Sequence, residues 1–189
     1  LPTLLVISGS PSPASRTALL AGHLAQRLSL TGFDVEHLDL RGMPPDAMLS
    51  GDADHPELRQ ALDAVAGAEG IVVATPVYKA AYTGLLKAFL DLLPQDGLAG
   101  KTVLPLATGG TIAHLLTIDY ALRPVLSALS ARHVVGGCFL LDRTIERPDE
   151  RSGETADVTL TPEAELRLFE AVDAFIESLP SGPVLSSAA

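Results

Sequence analysis

Three short segments of the chain hold residues whose types and spacing can do chemistry. The first, Gly9-Ser10-Pro11-Ser12-Pro13-Ala14-Ser15-Arg16-Thr17, gathers hydroxyls, backbone N–H groups and a guanidinium ahead of an apolar periodic stretch. At a helix N-terminus such a loop cradles a phosphate monoester. Ser10, Ser12, Ser15 and Thr17 offer hydroxyls and amides, and Arg16 adds a charge-assisted bond. It is not a Walker A loop, which needs Gly-Lys-Ser/Thr, nor the G-x-G-x-x-G dinucleotide fingerprint. The ligand-free alternative is a turn that Ser15 simply caps.

The second segment runs from Thr75 to Gly84. Tryptophan is absent and there are 3 tyrosines, yet Tyr78 and Tyr82 both fall here. Pro76, Val77 and Tyr78, with Lys79 beside them, could form the wall that a flat aromatic ligand requires; otherwise the tyrosines pack the loop on its own helix. In the third, Thr108-Gly109-Gly110-Thr111, paired glycines let backbone N–H groups approach a ligand edge, although an ordinary left-handed turn reads the same way. His114 follows, as a site contact or a helix-surface residue. The histidines His23, His37, His55, His114 and His133 form no metal-ligand spacing, and no G-x-S-x-G elbow suggests a nucleophile, so no metal is expected.

Charge points to the same segments. The net charge of -10 argues against nucleic acid or an anionic membrane as partner. Acids are nevertheless absent from Leu1 to Phe33, Gly70 to Leu90 and Gly97 to Ile118, which carry only Arg16, Arg27, Lys79, Lys87 and Lys101. An anion site built from separated loops has this distribution. No apolar run is long enough for a membrane span and no signal-peptide pattern opens the chain, so a soluble cytoplasmic protein is expected. The lone Cys138, inside the apolar run Val134 to Leu141, reads as a small core residue.

The elements that must position these loops follow from periodicity. Thr3 to Ser8, Gly70 to Ala74, Lys101 to Ala107 and His133 to Leu141 are apolar runs of buried parallel strands, and Asp34 to Leu40 alternates as an edge strand. Pro105 removes a ladder donor from the run that contains it. Helical patterns span Thr17 to Leu30, Pro56 to Ala68, Leu85 to Leu93, Thr111 to Ala131 and Pro162 to Leu179. Loops fill the stretch up to His55 and the polar segment Arg143 to Thr161. Five strands alternating with helices predict an α/β fold, a flavodoxin-like doubly wound parallel sheet of order 2-1-3-4-5. Residues 1–179 form one domain in this reading, and 180–189 a flexible tail.

GSPSPASRTALL, ATPVYKAAYTGLLKAFLDLLP and LPLATGGTIAHLLTIDYALRPVLSAL closely resemble the NADPH-dependent FMN reductases of two-component alkanesulfonate monooxygenase systems. The likeness covers most of Leu4 to Leu140. It implies a flavodoxin-like fold that binds FMN, with the phosphate at Ser10, Ser15, Arg16 and Thr17, Pro76 to Lys79 on the ring, and Thr108 to Thr111 at its far edge. Ser12 stands where the family commonly carries a basic residue, which implies weaker phosphate binding. NADPH or NADH would be the hydride donor and a separate FMN-dependent monooxygenase the recipient of reduced flavin. Two rivals share the fold: an electron carrier that keeps its FMN, and a quinone or azo reductase.

The stretch from Ile112 to Leu129 is apolar around too much of its circumference for one buried stripe, which predicts a subunit contact. The resemblance implies a homotetramer. Pro124 leaves the Tyr120 carbonyl without its i+4 partner, so the helix must bend or bulge there. The resembling family carries a π-bulge at this tyrosine, and Tyr120 is expected at a subunit contact, influencing flavin release.

Overall fold

The computed structural model describes residues 2–147 and 158–180. The strands are β1 (Thr3–Ser8), β2 (Asp34–Asp39), β3 (Gly70–Pro76), β4 (Thr102–Gly109), β5 (His133–Val134) and β6 (Cys138–Leu141). All pair in parallel in the order β2-β1-β3-β4, with β5 and β6 sharing the far side of β4. This is the predicted doubly wound sheet, with β2 on its edge.

Alternation along each strand divides the core into two layers. Leu4, Val6, Val72, Ala74, Leu104 and Leu106 pack under α1 (Arg16–Leu30) and the late helix Pro162–Glu177. Leu5, Ile7, Ile71, Val73 and Val103 pack under α3 (Pro56–Gly67), α4 (Gly84–Leu90) and α5 (Arg123–Ala128). The expected loop up to His55 contains one more short helix, α2 (Pro45–Ser50), started by Pro45 and stopped by Gly51 in the left-handed region. The late helix is α6. Lys101 is not an anion ligand: its Nζ donates to the carbonyls of Ala66 and Ala68 at 2.8 and 2.7 Å, closing the C-terminus of α3. Burial lowers its pKa, with Glu69 acting in the other direction.

The fifth strand, expected from His133 to Leu141, is not continuous, and Pro105 explains the break. Thr102 donates its N–H to Glu69, on the β3 side, whereas the Val103 carbonyl accepts from Val135 on the other side. Alternation therefore turns position 105 toward the fifth strand, where proline has no N–H to give. The chain crosses this gap through Gly136-Gly137. Gly137 has φ of 86°, and a Cβ there would lie 2.8 Å from the Pro105 carbonyl oxygen. Three carbonyls at the break, those of Val134, Val135 and Gly136, accept from the Arg123 guanidinium at 2.7, 3.1 and 3.1 Å. Cys138 lies just beyond, buried as predicted, its pKa pushed up to about 11 by burial against a smaller opposing influence of Arg167.

The helical pattern from Thr111 to Ala131 is likewise not one helix. A 3-10 turn spans Ile112–His114, a π-helical segment Ile118–Leu122, and only then does α5 begin. The Arg123 N–H reaches the Ile118 carbonyl, an i to i−5 bond, one residue before the proline that cannot continue the ladder. Beyond β6, the predicted polar loop contains a 3-10 turn at Asp142–Thr144 and a two-stranded ribbon of β7 (Ile145–Glu146) and β8 (Thr159–Leu160). The remainder of that loop, and the predicted tail from 181 onward, lie outside the described residues. No helix among the described residues is long and apolar enough to cross a membrane.

Gly137→Ala combines a left-handed backbone with an overpacked Cβ, and should destabilise the fold by about 2 to 4 kcal/mol. Urea unfolding checks this against Gly136→Ala, where a Cβ meets open space and a much smaller loss is expected.

Candidate functional site

The carboxyl ends of β1, β3 and β4 bring the three segments together. Gly9 donates its N–H to the Ala74 carbonyl at 2.8 Å, and its own carbonyl accepts from Thr83 Oγ1 at 2.5 Å. A Cβ on Gly9 would stand 2.8 Å from Leu86 Cβ, so only glycine allows the first loop this close to α4. The hydroxyls of Thr17 and Thr108 share a buried bond of 2.7 Å, linking the first loop to the third. Val77 closes the set by donating its N–H to the Thr108 carbonyl at 2.8 Å.

Within the first loop the serines shape the backbone. Ser10 Oγ accepts from the Ser12 N–H at 3.4 Å and Ser12 Oγ from Ala14 at 3.3 Å. Ser15 is the predicted N-cap, its Oγ accepting from the Ala18 N–H at 3.1 Å. As the first two helical residues, Arg16 and Thr17 have N–H groups with no carbonyl of α1 to bond. Arg16 Nε donates to the Ile145 carbonyl at 3.0 Å, and among the described residues the two terminal nitrogens of its guanidinium have no partner. Backbone donors, a positive helix end and a guanidinium, with no acid in the loop, fit a phosphate monoester.

The second loop turns tightly. Tyr78 and Ala81 exchange backbone bonds of 2.9 and 3.2 Å around Lys79 and Ala80, whose φ values of 52° and 63° are left-handed. Such strain in non-glycine residues persists where surrounding structure enforces it. Here Thr117 Oγ1 donates to the Ala80 carbonyl at 3.4 Å, and Val77 packs on the cluster of Ala107, Ile118 and Phe139. The turn displays Tyr78, 46% exposed, with Lys79 also exposed, while Tyr82 packs back toward α4, the packing alternative that the sequence left open for both tyrosines.

In the third loop the Thr108 hydroxyl is paired with that of Thr17 and its carbonyl with the Val77 N–H. Gly109 and Gly110 do not form the left-handed turn that their pairing allows: neither has a positive φ. Gly109 ends β4 against the Phe139 ring, and Gly110 is exposed. Thr111 caps the following 3-10 turn, and His114 is half-buried within that turn. Of the five cations in the acid-free stretches, Arg16 and Lys79 stand at this end of the sheet. Lys101 closes α3, Arg27 lies over the Phe169 ring and near Glu165, and Lys87 pairs with Asp91. Tyr120 is outside the cradle: it is 79% exposed on the π-helical segment, with Ile112, Leu115 and Leu116 also exposed nearby in sequence.

A doubly wound sheet with an anion cradle at its switch point and an aromatic-bearing turn beside it defines a flavodoxin-like protein that binds a phosphorylated, flat-ringed cofactor. The chain belongs to the NADPH-dependent FMN reductase family, whose pattern matches residues 2–146. It is 42% identical over 176 residues to an FMN reductase (NADPH) of Escherichia coli K12, covering 93% of this chain and 89% of that one. A Pseudomonas putida FMN reductase (NADPH) is 41% identical, with 95% and 90% covered. The crystal structure of the apo form of an NADH:FMN oxidoreductase, EMOB, superposes with a TM-score of 0.83 at 43% identity, over 97% of this chain and 92% of that one. The protein is thus an oxidoreductase that uses FMN and NAD(P)H.

Arg16→Ala should weaken FMN binding by about 1.5 to 3 kcal/mol, roughly 10- to 150-fold in Kd. Riboflavin, which lacks the phosphate, should be nearly unaffected. Fluorescence quenching with both flavins at fixed ionic strength separates a phosphate contact from loss of the Ile145 clamp, which would weaken both.

Proposed function

We propose that the protein takes hydride from NADPH or NADH, reduces exchangeable FMN, and releases it to a separate monooxygenase of the alkanesulfonate type, serving sulfur assimilation in the cytoplasm. The observation that carries the reading is the convergence of an acid-free phosphate cradle with an aromatic turn whose rim is open to solvent: Pro11, Tyr78, Lys79 and Gly110 are all exposed. Bound FMN supplies the hydride acceptor and the nicotinamide the donor, so the chain need only hold two rings face to face. The first loop fixes the phosphate, Pro76, Val77 and Tyr78 support the ring, and Gly110, Thr111 and His114 border its far edge. No side-chain acid or base is needed. The exposed rim favours flavin that comes and goes over a permanently held group, and the sulfonate assignment rests on the sequence resemblance.

The same reading places the exposed Ile112, Leu115, Leu116 and Tyr120 in the contact of a homotetramer. The inner side of this segment touches the site, since Ile118 packs with Val77 and Thr117 bonds Ala80. Assembly through Tyr120 would therefore bear on the turn that supports the flavin, which gives it an influence on release.

Anaerobic spectra of the purified protein, titrated with FMN and then NADPH, should show flavin bleaching, and aerobic NADPH oxidation should rise with added FMN. Turnover that needs a quinone and ignores free FMN would overturn the reading. Tyr120→Ala should shift sedimentation toward smaller species and change FMN affinity or turnover about threefold or more, the effect of roughly 0.7 kcal/mol. Unchanged assembly, affinity and turnover would remove Tyr120 from the account.

A further inference from the structure

Two guanidinium groups reach the first loop, and only one of them belongs to it. Arg16 sends its Nε to the carbonyl of Ile145. Two residues past Ile145, Arg147 sends its Nη2 back to the carbonyl of Ala14, across 133 positions of sequence. The two bonds run in opposite directions between the same two segments, so the end of β7 is laced to the loop.

Neither bond neutralises its arginine. A carbonyl takes one hydrogen from a guanidinium that offers five and leaves the positive charge in place. Among the described residues neither Arg16 nor Arg147 has a carboxylate partner. Arg147 is exposed, so its remaining donors stay open to a ligand, and Glu146 beside it is exposed on the ribbon while Ile145 is buried. A phosphate monoester carries about -1.5 to -2 charges at neutral pH, more than one guanidinium balances. The loop supplies one such group and the ribbon brings a second to the carbonyl of Ala14, two residues before Arg16. Arg147 also lies just past the family match, which ends at residue 146.

We propose that Arg147 is a second cationic ligand, in addition to Arg16, of the phosphate monoester held by the first loop. The proposal rests on the reading that this loop holds the FMN phosphate. The 2′-phosphate of NADPH is also a monoester, and the test distinguishes the two sources.

The experiment compares Arg147→Ala, Arg147→Gln and Arg147→Lys with the unaltered protein, measuring Kd for FMN and riboflavin over a range of salt and KM for NADPH and NADH. Arg147→Ala and Arg147→Gln should raise the Kd for FMN about 5- to 30-fold and flatten its salt dependence, with riboflavin changed less than about twofold. Arg147→Lys should recover part of the loss, and the NADPH to NADH ratio of KM should not move. Equal losses for both flavins would make Arg147 a brace of the loop and overturn the proposal, as would no loss for either. A loss confined to NADPH would place the charge on the dinucleotide instead. An unaltered protein that binds riboflavin as tightly as FMN would defeat the phosphate reading of the loop itself, an outcome separate from failure at Arg147.

Discussion

The buried bond between the Thr17 and Thr108 hydroxyls holds the site together. It joins the first turn of α1 to the carboxyl end of β4, residues 91 positions apart, at a point where both are 1% exposed. A hydroxyl taken from water into such a place is costly without a partner, so each threonine requires the other. The parallel sheet makes the pairing possible by delivering the ends of β1, β3 and β4 to one side. Thr83 on the Gly9 carbonyl and Val77 on the Thr108 carbonyl then fix the second loop to the same frame. What remains open for a ligand is the rest: first-turn N–H groups, the arginine heads and the face of Tyr78.

A second constraint acts from the far edge of the sheet. Pro105 sits inside a central strand, and the fold meets the missing donor by parting the fifth strand at Gly136-Gly137. Arg123 bonds the carbonyls freed at that break, and its position at the end of the π-helical segment makes the two irregularities one structure. Asp119 holds the same guanidinium at 3.0 Å. The π segment thereby keeps Ile118 inward against Val77 and Tyr120 outward, so an exposed face and the packing of the second loop share a few residues of backbone.

Most of this architecture was legible in the sequence because its signals are local. Apolar runs marked β1, β3 and β4, Ser15 announced the start of α1, and Pro124 announced a disturbed helix at Tyr120. The misreadings came from contacts that cross the chain. Nothing near Val135 reveals that Pro105 will lie opposite it, so the fifth strand read as continuous. The acid-free stretches pointed to loops that do meet at one end of the sheet, yet Lys101 and Arg27 belong to other ends of their elements, and the spacing of charge alone could not show that. Arg147 was invisible for the same reason: it lies in a polar segment, and only the ribbon of β7 and β8 carries it to Ala14.

The central claim, that the cradle exists because the loops are locked by the buried hydroxyl pair, is tested most directly by a double-mutant cycle of Thr17→Val and Thr108→Val read out as FMN affinity. Each single change strands a buried hydroxyl and should weaken binding about 5- to 30-fold, while the double variant should lose no more than either single one. Losses that simply add in the double variant would show that the two threonines act independently, and would contradict the account.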